Sequence, residues 1–449
     1  MKEFLDSFFG VLIIPICFIV TGVVWWLLLQ NVEFTLWPAV SFALLVLPLV
    51  LPFLLFYLTY ERWMEFVRKK FTYESGRVVL RIKLPPEVFK SPEAMESVFE
   101  NIHAANPSDN FGQAYLDGKH PLMMTCELVS IGGDVRFYMT VHHKIKNMLE
   151  AQLYSQYPGL EIIEEPIDYA AEVQWKEDEM DLMSFHFVKK KDPVMPIKTF
   201  IDYGHDKLPK EEEKFEPMSA MIEYLGRAKP HERIFFQWLC KPHAEKKFGD
   251  GELKYKPTWE VAAKQKINEV LQRDDNRLST AEETENRPTL TTGERDTISA
   301  IERNVGKLAF DTAIRGMYVT MDKTQFDGPK ITAMISTFKQ FEIVGRNGLG
   351  IRWKTDFDYM IFEDFFGSRK LQRKKDELEH YKLRKYDPGS GKKNAGHQLQ
   401  TMSVEELATM FHIPGRSILT PGMSRISSTS GSAPSNLPIG NIPTDESNR

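Results

Sequence analysis

Two long uncharged stretches near the N-terminus constrain this chain more than any other feature of its sequence. They run over 8–29 and 36–58, and the connector between them, QNVEFT, carries one charge, at Glu33. At 1.5 Å per residue, each stretch is long enough to cross a hydrocarbon core about 30 Å thick. The sequence therefore predicts a two-helix transmembrane hairpin over 1–62.

Residues suited to a membrane–water interface flank both stretches. The predicted interface anchors are Trp25, Trp26, Trp37, Arg62, Arg68, Lys69 and Lys70. Because cations follow the second stretch and are missing from the connector, the positive-inside rule places both termini in the cytoplasm. We therefore expect a multi-pass inner-membrane protein with two spans and with the lipid bilayer as a partner. A cleaved signal peptide fits less well because the first apolar run is too long.

After the predicted hairpin, the hydrophobic pattern changes from continuous to alternating. Residues 78–84 alternate as in a half-buried strand, and a helical stripe follows from about 92. Two further alternating runs flank the pair Gly132-Gly133, which suits a tight hairpin turn. A helix from about 143 and the short strand LEIIEE complete the order β-α-β-β-α-β. This order predicts an α+β unit of the ferredoxin-like type over 72–168.

A second unit of the same kind is predicted over 181–360. Nine acidic residues and one lysine occupy 161–181, so we interpret 169–180 as a solvated acidic linker. Strands near 181–189, 234–240 and 311–321 then alternate with helical stripes, although the last strand is poorly marked. A helical insertion is expected at about 243–308, with Thr291 and Glu294 in the spacing of a capping box. The fold class is thus a hairpin followed by tandem ferredoxin-like domains.

The segment 361–423 contains the most basic part of the chain. Ten Lys or Arg residues stand against four Asp or Glu between 369 and 393. Contact with nucleic acid or anionic lipid is one interpretation, and a solvated helix face is the other; the candidate contact residues are Arg369, Lys370, Arg373, Lys374 and Lys375. Further on, Ser403 and Glu406 suit the capping box of a short docking helix, and the polar tail 424–449 is expected to be disordered.

The sequence offers no recognisable catalytic or cofactor motif. The three cysteines, Cys17, Cys126 and Cys240, lack metal-binding spacing. The glycine-rich stretch near 391 is not a P-loop, because Tyr386 replaces the first glycine and Lys393 the hydroxyl residue. A net charge of −5 gives no general attraction to phosphate. We therefore expect no cofactor, no metal and no enzymatic activity, and a hydrolase or nucleotide enzyme is the weakest alternative.

Several segments resemble a known group of proteins. The pieces LPPEVFKSPEAMESVFENIH, TTGERDTISAIERNVGKLAFDTAIRGMYV and MSVEELATMFHIPG look like the N-terminal region of bacterial type IV secretion or conjugation-type DNA-translocation proteins. The resemblance implies that, in longer relatives, an ATPase of the TraG/TraD or HerA-like type follows the ELATMFHIPG segment. Walker motifs are missing from this sequence. The resemblance therefore implies that translocation would need a separate ATPase.

We expect a non-enzymatic, membrane-anchored component of a DNA-translocation apparatus that acts with a separate ATPase or with other secretion-system subunits. DNA contact and homo-oligomerisation are further expectations. The alternative is a membrane-tethered protein-interaction adaptor that is unrelated to DNA.

Overall fold

The computed structural model of the chain describes most of the region after residue 58. Described residues are 46, 50, 59–60, 62–85, 91–104, 110–205, 215–243, 259–271, 291–356, 367–386 and 399–415. Outside these residues lie the predicted span at 8–29, the predicted span at 36–58 apart from residues 46 and 50, the tryptophans at 25, 26 and 37, and the predicted tail 424–449.

One antiparallel sheet organises the described part of the chain. Its nine strands are β1 (Val78–Lys83), β2 (Met124–Ile131), β3 (Asp134–Val141), β4 (Glu161–Glu164), β5 (Asp181–Lys189), β6 (Glu232–Pro242), β7 (Ala309–Thr320), β8 (Leu349–Lys354) and β9 (Gln400–Ser403). The order across the sheet is β4-β1-β3-β2-β6-β7-β5-β8, and β9 pairs with one end of β7.

Ten helices accompany the sheet within the described residues. They are α1 (62–74), α2 (Pro92–Asn101), α3 (Phe111–Tyr115), α4 (His143–Gln156), α5 (Ser219–Gly226), α6 (Trp259–Val270), α7 (Thr292–Val305), α8 (Gly328–Ser336), α9 (Ser368–Lys382) and α10 (Val404–Met410).

Each half of the sheet has the ferredoxin-like arrangement. Strands β1 to β4 are ordered β4-β1-β3-β2, and β5 to β8 repeat that order as β8-β5-β7-β6. The halves join edge to edge, because β2 pairs with β6 over eight residues, from Met124 opposite Cys240 to Ile131 opposite Arg233. The two units therefore share one continuous sheet.

The main core lies between the sheet and a layer of helices on one face. Apolar side chains of alternate strand positions, such as Leu80, Cys126 and Phe236, pack there against α2, α4, α5, α8 and α10. Alternation arises because successive strand residues point to opposite faces. The docking helix α10 is buried along its whole length, and the Ser403 hydroxyl accepts a hydrogen bond from the Glu406 backbone N–H, as the capping-box spacing predicts.

The opposite face, called the second face below, has a smaller apolar core. Val129, Phe235 and Met317 of the sheet pack there with Leu378 and Tyr381 of α9. The segment predicted as an acidic linker also contributes, because a short 3-10 helix over Tyr169–Glu172 buries Tyr169 and Ala170 on the same cluster.

The fold class must also be corrected for the membrane. Among the described residues, no helix combines the length and the apolar composition that crossing a bilayer requires. The helix that follows the predicted spans, α1, has six charged residues among the thirteen at 62–74. The predicted transmembrane hairpin, and with it the two-span inner-membrane location, is therefore not supported and is removed from the fold class.

Candidate functional site: a charge network on the second face of the sheet

A row of polar side chains crosses the centre of the second face. Strand register places Glu127 of β2 opposite Gln237 of β6, Gln237 opposite Arg315 of β7, and Arg315 opposite His186 of β5. All four residues are buried. Because the row spans the β2–β6 junction, it belongs to both halves of the sheet.

Side chains from α9 and its flanking segments complete a network around this row. We call it the cross-sheet network, and its members are Glu127, Asp168, Tyr169, His186, Gln237, Arg315, Glu377, Tyr381 and Arg384.

Glu127 is the carboxylate at the centre of the first half of the network. It is fully buried, and its two oxygens accept hydrogen bonds from Tyr169 Oη at 2.7 Å, Gln237 Nε2 at 2.9 Å and Thr125 Oγ1 at 2.8 Å. Arg384 adds two more, from Nε at 3.0 Å and from Nη2 at 3.1 Å. This bidentate geometry fixes both groups, because the planar guanidinium matches the carboxylate.

Arg384 connects two carboxylates. Besides Glu127, its guanidinium contacts Asp168, with 3.0 Å between Nη2 and Oδ1, and its Nη1 donates to the backbone carbonyl of Lys382 at 3.1 Å. Although burial disfavours the charged form, the Glu127 and Asp168 carboxylates hold the pKa of Arg384 well above its ordinary value. The backbone of Arg384 is left-handed, with φ of +47°. Residues other than glycine rarely adopt this conformation, so the ion pairs hold a strained position.

Two tyrosines form a proton-donor chain to Glu127. Tyr169 donates to Glu127, so the 2.5 Å contact between the Tyr169 and Tyr381 hydroxyls has Tyr381 as its donor. Burial, with the Glu127 charge adding to it, raises the pKa of both phenols well above the ordinary value. Both phenols therefore stay protonated and act as structural donors rather than as bases.

The second half of the network is centred on Glu377 of α9. Its Oε1 lies 2.6 Å from His186 Nε2, 3.1 Å from Ser184 Oγ and 2.8 Å from Arg315 Nε. Arg315 Nη1 then donates to Gln237 Oε1 at 3.1 Å. Gln237 thus links the Glu127 half to the Glu377 half, since its amide nitrogen donates to Glu127.

The network has the composition of a reactive site but the environment of a core. Glu127 and His186 are 0 % exposed, Arg315 is 1 % exposed and Glu377 is 2 % exposed. Charges buried in this way are stable only when they are paired and hydrogen-bonded. These charges pair with one another, so the arrangement clamps α9 and the two halves of the sheet together.

The predicted nucleic-acid contact residues lie on α9, but several of them pair with acidic residues of the same chain. Lys374 is buried and contacts Asp181, and Lys375 Nζ lies 3.0 Å from Glu177. Lys370 contacts Asp356. The basic helix and the acidic segment therefore partly neutralise each other. The sequence did not indicate this pairing, because the acidic segment was interpreted as a solvated linker and the basic stretch as a contact for nucleic acid or anionic lipid or as a solvated helix face.

The other predicted site residues are not brought together with these. Arg62, Arg68, Lys69 and Lys70 lie on α1, where Glu65 pairs with Arg62 at 3.2 Å and with Lys69. Cys126 and Cys240 are buried free thiols of β2 and β6. Within the described ranges, no group of three or more His, Cys, Asp or Glu side chains is arranged to hold a metal ion.

Fold and site together define a class: an α+β protein in which two ferredoxin-like units share a sheet that a buried charge network holds together. The chain belongs to the family described as Domain of unknown function (DUF8128), whose model matches residues 63–343, more than half of the chain. This match shows no link to type IV secretion. No curated protein and no solved structure matches the chain significantly.

Strand β9 and helix α10 lie beyond the matched residues but belong to the same body. Strand β9 pairs with β7 from Ala309 opposite Ser403 to Thr312 opposite Gln400. Glu406 of α10 also accepts a hydrogen bond from the Ile197 backbone N–H at 2.9 Å and contacts the buried Lys189. The folded unit therefore extends at least to residue 415.

Proposed function

We propose that this chain is a non-enzymatic subunit of a type IV secretion-like or conjugation-like DNA-translocation apparatus and that it acts with a separate ATPase. The segments that resemble such proteins support the proposal, and they include those that form α2, α7 and α10. Helix α10 is packed into the main core. The resemblance implies that longer relatives carry their ATPase directly after this helix, so the ATPase would be attached to a rigid part of the body.

The closed cross-sheet network is the observation that carries the non-enzymatic part of the proposal. An active site needs a position where a substrate atom can lie within about 3 Å of the reacting groups. Here Glu127 pairs with Arg384, and Glu377 pairs with His186 and Arg315, all beneath α9. The network therefore supports a mechanical role, in which two units move as one rigid body.

Partner contacts are expected on helical surfaces rather than on the sheet. Strand β4 has four residues with a glutamate at each end, and β8 contains Arg352 and Lys354 next to a register shift. Short, charged and bulged edge strands resist the addition of another strand. The centre of the second face is covered by α9.

A second candidate is a protein-interaction adaptor that is unrelated to DNA. The ion pairs of Lys374 with Asp181 and of Lys375 with Glu177 favour it, because cations that are neutralised within the chain release few counterions from DNA.

Affinity purification tests the proposed function directly. The tagged full-length chain should retain a Walker-type ATPase, identified by mass spectrometry, that an unrelated tagged protein does not retain. The purified chain alone should not hydrolyse ATP. Turnover of ATP by the chain alone, or repeated recovery of other partners without an ATPase, would contradict the proposal.

DNA binding separates the two candidates. Arg369 is exposed, so Arg369→Glu combined with Arg373→Glu changes α9 without breaking the Lys374 pair. If α9 contacts phosphate, the slope of log affinity against log salt should fall by about two. The matched control is Arg227→Glu, at an exposed arginine on another helix surface. An unchanged slope would favour the adaptor.

A further inference from the structure

We draw no further inference here: the strongest candidate, the surface patch of exposed aromatic side chains that Trp63, Phe66 and Tyr73 form on α1 beside α3, is an apolar face for which nothing in the structure shows what covers it.

Discussion

Replacing Arg384 by methionine is the sharpest test of the cross-sheet network. The substitution keeps an extended side chain but removes the charge that lies between Glu127 and Asp168. Two carboxylates would then face each other across a site where Arg384 was 5 % exposed. Both Glu127 and Asp168 would lose bidentate donors, and Glu127 would stay buried.

The expected loss follows from the cost of leaving a buried charge without its partner. Breaking a buried ion pair by removing one member costs about 3–5 kcal/mol. Methionine in the left-handed backbone of residue 384 adds no new strain, because arginine already occupies φ of +47°. We therefore predict that Arg384→Met lowers the free energy of unfolding by about 3–5 kcal/mol.

The prediction also has a definite pH dependence. The folded state raises the pKa of Arg384, so the stabilisation is fully present below the ordinary arginine pKa and is lost only when the pH rises through the raised value. Titration of Arg384 should therefore not change the difference in unfolding free energy between Arg384→Met and wild type from about pH 6 to pH 9.

Urea denaturation followed by tryptophan fluorescence measures this loss. Arg227→Met is the matched control, since Arg227 is 77 % exposed and its pair with Glu223 is screened by solvent. We expect less than about 1 kcal/mol for this control. A double-mutant cycle with Glu127→Gln should show a coupling of at least about 1 kcal/mol. Additive effects, or equal losses for the two arginines, would show that Arg384 does not stabilise the fold through Glu127.

Three further predictions concern other parts of the body. Lys189→Met should lower the unfolding free energy in urea by about 3–5 kcal/mol, because it leaves Glu406 charged and buried. Although burial opposes ionisation of Glu216, His412 holds the pKa of the Glu216 carboxyl below its ordinary value. Glu216 therefore stabilises the fold above about pH 4.3, and this stabilisation is lost as the pH falls through the lowered pKa of Glu216. Glu216→Gln should therefore flatten the acid side of a plot of melting temperature against pH. Gly316→Ala should cost about 1 kcal/mol in the same urea assay, since its Cβ would lie 2.8 Å from the Met334 methyl group and 3.1 Å from the ring of the buried Phe187.

Local signals in the sequence predicted much of the secondary structure. Gly132 and Gly133 have φ of +61° and +94°, as a tight β2–β3 turn requires. The Thr291 hydroxyl accepts a hydrogen bond from the Glu294 backbone N–H at the start of α7, as the capping-box spacing predicts. Such features depend on residues two to four positions apart, so they can be recognised from sequence alone.

Features that depend on distant pairing could not be predicted. The row of Glu127, Gln237, Arg315 and His186 exists because β2 pairs with β6 in one particular register, and nothing local to either strand fixes that register. Strand β9 was missed because its four residues are too short to show a period.

The pairing of the two charge clusters was missed for a related reason. A run of acids and a run of bases each look solvated when they are considered separately. In the structure Glu177 and Lys375 lie 3.0 Å apart although 198 positions separate them. Sequence reasoning had no means of pairing these two segments.

Hydrogen–deuterium exchange of the full-length chain tests most directly whether the two halves form one clamped body. We predict that amides of β2 and β6 exchange with the same opening free energy as those of β7, and that Arg384→Met lowers this free energy in β2 and β6 together. If β2 opened on its own at a lower free energy than β6 and β7, or if Arg384→Met left both strands unchanged, the halves would be separate units and the network would not be a clamp.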